Sequence, residues 1–261
     1  MALRILSALI LIPVFFGSVW FLPAAPLLVL AEAVLVLAFV EYARLGESMG
    51  ATIPKVASGA AAMATCAAVG LDLPLDLVLV AALVALCAVV IGARAPAPGV
   101  LGDVAGALFP VLYLGVPIGS IVALRAMSGR EAVLLLLITI IVSDTAQYYA
   151  GRLLGRHKLS PLISPKKTVE GAAGGFVVAP AVLALIGRVW LPGVGTGRLV
   201  LLGLALVGLG IAGDLFESLL KRSAGVKDSS TIIPGHGGVL DRIDALLFAA
   251  PVYYMFLKYG R

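Results

Sequence analysis

Apolar residues run along the chain in stretches of up to about two dozen, broken by short polar intervals. Neither strand alternation nor the one-sided stripe of a soluble helix organises them. The stretches lie at 5–22, 26–43, 56–71, 75–92, 101–124, 132–152, 171–190, 199–220 and 240–258. A helix needs about 20 residues to cross a hydrocarbon core of about 30 Å, and most stretches approach that length, the third and fourth being short. The pattern predicts an all-α, polytopic integral membrane protein with about nine transmembrane helices. The first stretch reads as a retained span, not a cleaved signal peptide, because only a few residues around Pro23 and Pro26 separate it from the second.

Composition agrees: 61% of the 261 residues are hydrophobic, too many for a soluble domain of this size. Residues 1–261 read as a single transmembrane domain, with N-terminal helices over 1–130 and the polar motifs over 131–261. The net charge of +5 does not indicate nucleic-acid binding, since the basic residues are split among short loops and form no arm. Lipid headgroups and phosphates are the expected partners. In the nine-helix pattern thirteen of the nineteen Lys and Arg fall on one side. The positive-inside rule then puts the N-terminus and both polar loops in the cytoplasm, with the protein multi-pass in the cell's inner membrane. Cys66 and Cys87 sit in apolar stretches without metal-ligand spacing and read as small core residues.

Two polar islands interrupt this pattern. The first, Asp214 to Asp244, holds four Asp, one Glu, two Lys, two Arg and a His in a chain that is only 13% charged. Ionisable groups are costly at membrane depth, so their concentration marks a working site. Asp214, Glu217, Ser218 and Lys221 share one face at the end of a helix. Pro234, Gly235, Gly237 and Gly238 then form a turn with free backbone N–H groups, and Asp241 and Asp244 open the next helix. The second island runs from Ser143 to Gly171. Asp144, Gln147 and Tyr148 share a face, and Ser164–Thr168 sets Lys166 and Lys167 between hydroxyls. That composition suits phosphate oxygens, although the loop taken alone reads first as a cationic anchor on anionic lipid. Asp144 calls for a partner, either Arg152 or a bound cation.

Elsewhere, Glu41 is expected to pair with Arg44 three residues on, in preference to a role in the site, Asp103 to cap a helix, and Glu32 has no evident role. Gly203, Gly208 and Gly210 point to close helix packing, within the chain or between the copies of a homodimer.

Asp214 and Asp241, brought together from neighbouring helix ends, can hold Mg²⁺, which takes one or two carboxylates and completes its shell with water and substrate phosphates. The cations and glycine N–H groups would meet a nucleoside triphosphate. No P-loop or dinucleotide fingerprint is present. His236 fits phosphate donation, proton transfer or loop ordering.

The run SLLKRSAGVKDSSTIIPGHGGVLDRID, Ser218 to Asp244, resembles the signature of the phosphatidate cytidylyltransferase, or CDP-diacylglycerol synthase, family. SDTAQYYAGRLLGRHKLSPLISPKKTVEG looks like that family's second motif, and EYARL like its segment near the second helix. One departure is Ala146-Gln147, where the family often carries Gly-Ala, which bears on helix packing around Asp144. The resemblance implies transfer of CMP from CTP to phosphatidic acid, giving CDP-diacylglycerol and pyrophosphate, with Mg²⁺ and a second, monovalent cation. It assigns Asp214 and Asp241 to the metal, and Lys221, Arg222, Lys227 and Arg242 to phosphates. Asp228, His236 and Asp244 join the catalytic set, and Asp144, Lys166, Lys167, Thr168, Ser218, Gly237 and Gly238 the substrate contacts. Competing readings are a CTP-dependent polyprenol or phytol kinase and a membrane transporter.

Overall fold

The computed structural model describes residues 13–260 except 15, 94, 234 and 236; the expected first span is therefore seen only in part, with residues 16–21 helical (α1). The helices that follow are α2 (Ala24–Ser48), α3 (Lys55–Gly70), α4 (Leu75–Ala93), α5 (Val100–Pro110) and α6 (Val116–Leu154), with a π-helical turn Val111–Gly115 between the last two. A hairpin of β1 (Lys158–Ser160) and β2 (Ser164–Thr168) leads into α7 (Val169–Trp190), α8 (Thr196–Ser223) and α9 (Leu240–Tyr259). The protein is an all-α polytopic membrane protein. Among the described residues, five helical stretches are long and apolar enough to cross a membrane, and α3 is a shorter apolar helix.

One of those five, Val100–Leu154, has 55 residues. At about 1.5 Å per residue it would measure roughly 80 Å, far more than one crossing. It is broken at Gly129, whose φ of 82° and ψ of −179° lie outside helical space, so the boundary expected between 124 and 132 falls there.

Small residues set the helix spacing. A Cβ on Gly203 would lie 2.6 Å from Pro180 Cα, so α8 meets α7 backbone to backbone; Gly210 faces Ile140 and Ala245. Of the three glycines expected to pack closely, Gly203 does so within the chain, whereas Gly208 and Gly210 make only ordinary contacts there. Gln147 packs against Gly171 and Gly175 of α7, and its amide reaches Ser143 Oγ at 3.0 Å. The larger core joins the second part of α6 to α7, α8 and α9, and the other joins α2, α3 and the π turn to α8 and α9. Cys66 is fully buried in the latter, and both cysteines are free.

The polar contacts sort to opposite ends. At one end Lys258 pairs with Asp72 at 2.6 Å, Arg198 donates to the Gly260 carbonyl, and Arg130 lies 4.2 Å over the Trp20 ring. At the other, Lys55 pairs with Glu47 at 2.9 Å. There Asp103 accepts from the Thr52 amide at 2.6 Å, tying down the α2–α3 loop. Both polar islands lie at this second end.

Candidate active site

The loop between α8 and α9 is built around a residue from neither helix. Glu41 of α2 is completely buried, and each of its oxygens accepts one hydroxyl and one amide. Oε1 takes Ser230 Oγ at 2.5 Å and the Val239 N–H at 3.0 Å; Oε2 takes Ser229 Oγ at 3.0 Å and the Leu240 N–H at 2.8 Å. Its charge therefore rests on the N-terminus of α9, where free amides and the helix dipole favour an anion. The expected Glu41–Arg44 pair does not form: Glu41 faces inward and Arg44 is exposed, because four preorganised donors outbid one solvated guanidinium three residues along. Gly238 packs so tightly on Glu41 that an added Cβ would stand 2.5 Å from both oxygens.

Asp241, at the first turn of α9, completes the loop. Its Oδ2 accepts from the Ser229 N–H (3.0 Å) and the Gly238 N–H (2.8 Å) and lies 2.8 Å from Ser229 Oγ, whose one proton it shares with Glu41, and its Oδ1 meets Lys221. Lys221 also pairs with Glu217 one turn back on α8, so an ammonium is held between two carboxylates beneath the loop. Gly235 and Gly237 adopt positive φ, and the Ile233 N–H bonds the Gly237 carbonyl at 2.9 Å. The result is a cavity of about 480 Å³. Lys227, Asp228, Ser230, Thr231, Gly237 and Arg242 line it, bringing four of the expected site residues together. Arg222 points instead to the helix end, donating to the Val226 carbonyl at 3.0 Å. His236 and Pro234 lie outside the described residues.

A second group forms beside it. Gly213 lets α8 touch the backbone of Asp244, so Asp214 and Asp244 come from helices in direct contact. Asp214 pairs with Lys167 of β2 at 2.6 Å, and Ser218 Oγ lies 3.4 Å from it. The charge of Asp214 acts on both Asp144 and Asp244, and that of Asp144 on Asp244. The three carboxylates are thus close enough to act on one another, and Lys167 pairs with one of them, Asp214. Arg152, considered as a partner for Asp144, instead reaches Tyr148 Oη at 3.3 Å. Thr168 is the N-cap of α7, its hydroxyl oxygen accepting from the Gly171 N–H at 3.1 Å. Lys166 is exposed on the opposite face of β2 from Lys167.

Among the described residues no three His, Cys, Asp or Glu side chains form a metal cage. Mg²⁺ needs only one or two carboxylates, and Asp214 fits that requirement once Lys167 gives way, since Lys167 and Ser218 meet its two oxygens. Asp241 fits it only if Lys221 gives way, since both its oxygens have donors.

The model of the Cytidylyltransferase family matches residues 2–260. The chain belongs to that family. A phosphatidate cytidylyltransferase of Helicobacter pylori is 40% identical over 144 residues, which are 55% of this chain and 53% of the relative. One of Staphylococcus haemolyticus is 39% identical over 162 residues, 59% of each. The "Uncharacterized protein YnbB" of Escherichia coli is 44% identical over 131 residues, 50% of this chain and 44% of that one. The chain spans about half the length of the curated relatives it matches. Within the family frame, the residue that sequence reasoning misplaced is Glu41. Its signals were a carboxylate on an apolar helix with no need of charge for solubility and its place at the head of EYARL.

Proposed function

We propose that the protein transfers CMP from CTP to phosphatidic acid, releasing pyrophosphate and forming CDP-diacylglycerol at the cytoplasmic face of the inner membrane. The observation that carries this reading is a cation-bearing cavity, with Lys227 and Arg242 at its wall, beside the carboxylate group of Asp144, Asp214 and Asp244. Membership of the cytidylyltransferase family and relatives bearing the phosphatidate cytidylyltransferase name support it.

In this mechanism an oxygen of the lipid phosphate attacks the α-phosphorus of CTP, and the bond from that phosphorus to the bridging oxygen of the β-phosphate breaks. The nucleophile is already an anion near neutral pH, so the protein's work is positioning and charge neutralisation. Lys227 and Arg242 draw the charge of the β- and γ-phosphates, while Lys167 stands where the two substrates' phosphates meet. Lys221, fixed by Glu217 and Asp241, keeps the loop floor rigid. Mg²⁺, when bound at Asp214, supplies charge neutralisation for the leaving pyrophosphate.

Incubation of the purified protein with cytidine-labelled CTP, phosphatidic acid and Mg²⁺ tests this. Label is expected in the lipid fraction, with one pyrophosphate released per label. Label retained in water-soluble CDP would show terminal phosphate transfer and overturn the reading.

A further inference from the structure

The β1–β2 hairpin has a fixed base and an uncovered tip. At the base Glu170 accepts from the Arg156 N–H at 3.0 Å and pairs with His157 Nδ1 at 2.6 Å, while the Val169 N–H bonds the His157 carbonyl. Leu159 packs with Ala172, Ala179, Val207 and Ile211, an apolar cluster of the spanning helices α7 and α8. The base of the hairpin is therefore seated on the bundle. Beyond Leu159, Pro161 and Leu162 are exposed, Leu162 to 94%; just before the hairpin Leu153 and Leu154 are exposed to 78% and 65%. The same end of α6 carries the exposed Tyr148–Tyr149 pair, a residue type concentrated where membranes meet water.

Charge surrounds this apolar edge. Arg156, Lys158 and Lys166 are exposed around it. The next residue, Lys167, faces the other way, to Asp214. A strand with its tip apolar, one face cationic and the other contributing to the carboxylate group matches a leaflet of anionic lipid: acyl chains beside the tip, phosphates beside the lysines.

We propose that residues 156–168 form a membrane-contacting lip, with Leu162 in the acyl region of the leaflet and Lys166 holding the phosphate of an anionic lipid. The lip delivers that phosphate to Lys167 and Asp214, a role that rests on the lipid-phosphate substrate proposed above; the insertion of Leu162 does not. Lipid then enters sideways through the hairpin, while the nucleotide enters from water through the 227–242 cavity.

The test places a polarity-sensitive fluorophore on Leu162→Cys, in the full chain with Cys66 and Cys87 replaced, reconstituted in phosphatidylcholine–phosphatidylglycerol vesicles. Quenching by acyl-brominated lipid with protection from aqueous iodide is expected. Iodide quenching without bromolipid quenching would overturn the insertion, and this readout needs no turnover. In turnover assays Lys166→Gln should raise KM for phosphatidic acid several-fold with KM for CTP unchanged. A rise in KM for CTP alone would assign Lys166 to the nucleotide and overturn the lip's lipid role. Quenching as expected in a protein that turns over neither substrate would leave the insertion standing and remove the proposed function.

Discussion

Glu41 satisfies four donors with two oxygens, and a glutamine in its place can accept with only one of them. Its amide would face a backbone N–H and a serine, leaving at least one buried donor unpaired at a cost of about 1–3 kcal/mol. Glu41→Gln is therefore expected to loosen the 229–240 loop, raising KM for CTP and lowering kcat; a melt in detergent and a kinetic assay check both. Coupling with Ser230→Ala should be non-additive, because the two substitutions break one contact.

At the same scale, Asp214 and Asp241 separate. Asp214→Asn is expected to reduce turnover by orders of magnitude without lowering the melting temperature, since its carboxylate is half-exposed and holds only Lys167 and Ser218. Asp241→Asn removes one of the two carboxylates that hold Lys221 and the charged acceptor of the Ser229 and Gly238 amides. It should lower both activity and melting temperature: Glu217 still pairs with Lys221, but the loop amides lose a charged acceptor, and a buried donor left poorly paired costs about 1–3 kcal/mol. Equal melting temperatures for the two variants would contradict this division.

Between elements, contact depends on what a glycine omits. Gly203 meets Pro180 at backbone distance, whereas Gly208 has only the Phe176 ring, at an ordinary 3.7 Å from a Cβ. Gly203→Ala is expected to push α8 from α7 and destabilise by about 1–3 kcal/mol, as overpacking does. Gly208→Ala should be nearly neutral, and thermal melts of the two variants in one detergent decide it. The hairpin shows how one strand serves two surfaces: alternation along β2 sends Lys167 inward and Lys166 outward, which period-two geometry requires once either is fixed.

Across the whole molecule, polar contacts at the two ends bear on sidedness. Cysteines at Lys158 and Thr231, with Cys66 and Cys87 replaced, are expected to resist an impermeant thiol reagent in intact cells and react in opened ones, and a cysteine at Thr196 to do the reverse. Both Lys158 and Thr231 are exposed, whereas Ser229 is buried against Glu41 and makes a poor probe. Labelling of Lys158 and Thr231 from opposite sides would separate the two halves of the site. The contribution of Glu41 also carries the site across the expected division at residue 130: the loop of the C-terminal part is organised by a helix of the N-terminal part.

Hydropathy determined the helices and their membrane setting, because burial of apolar surface over about 20 residues is a local property that the chain states directly. Motif spacing determined which residues crowd the two islands, since one helical face or one turn fixes neighbours within a few positions. Only the tertiary structure decided which carboxylate meets which donor. Glu41 lies 188 residues from Ser229, and no local rule chooses between that contact and Arg44. The same holds for Asp214 with Lys167 of the hairpin and for Asp241 with Lys221 of the neighbouring helix: each pair joins elements that only the tertiary packing brings together.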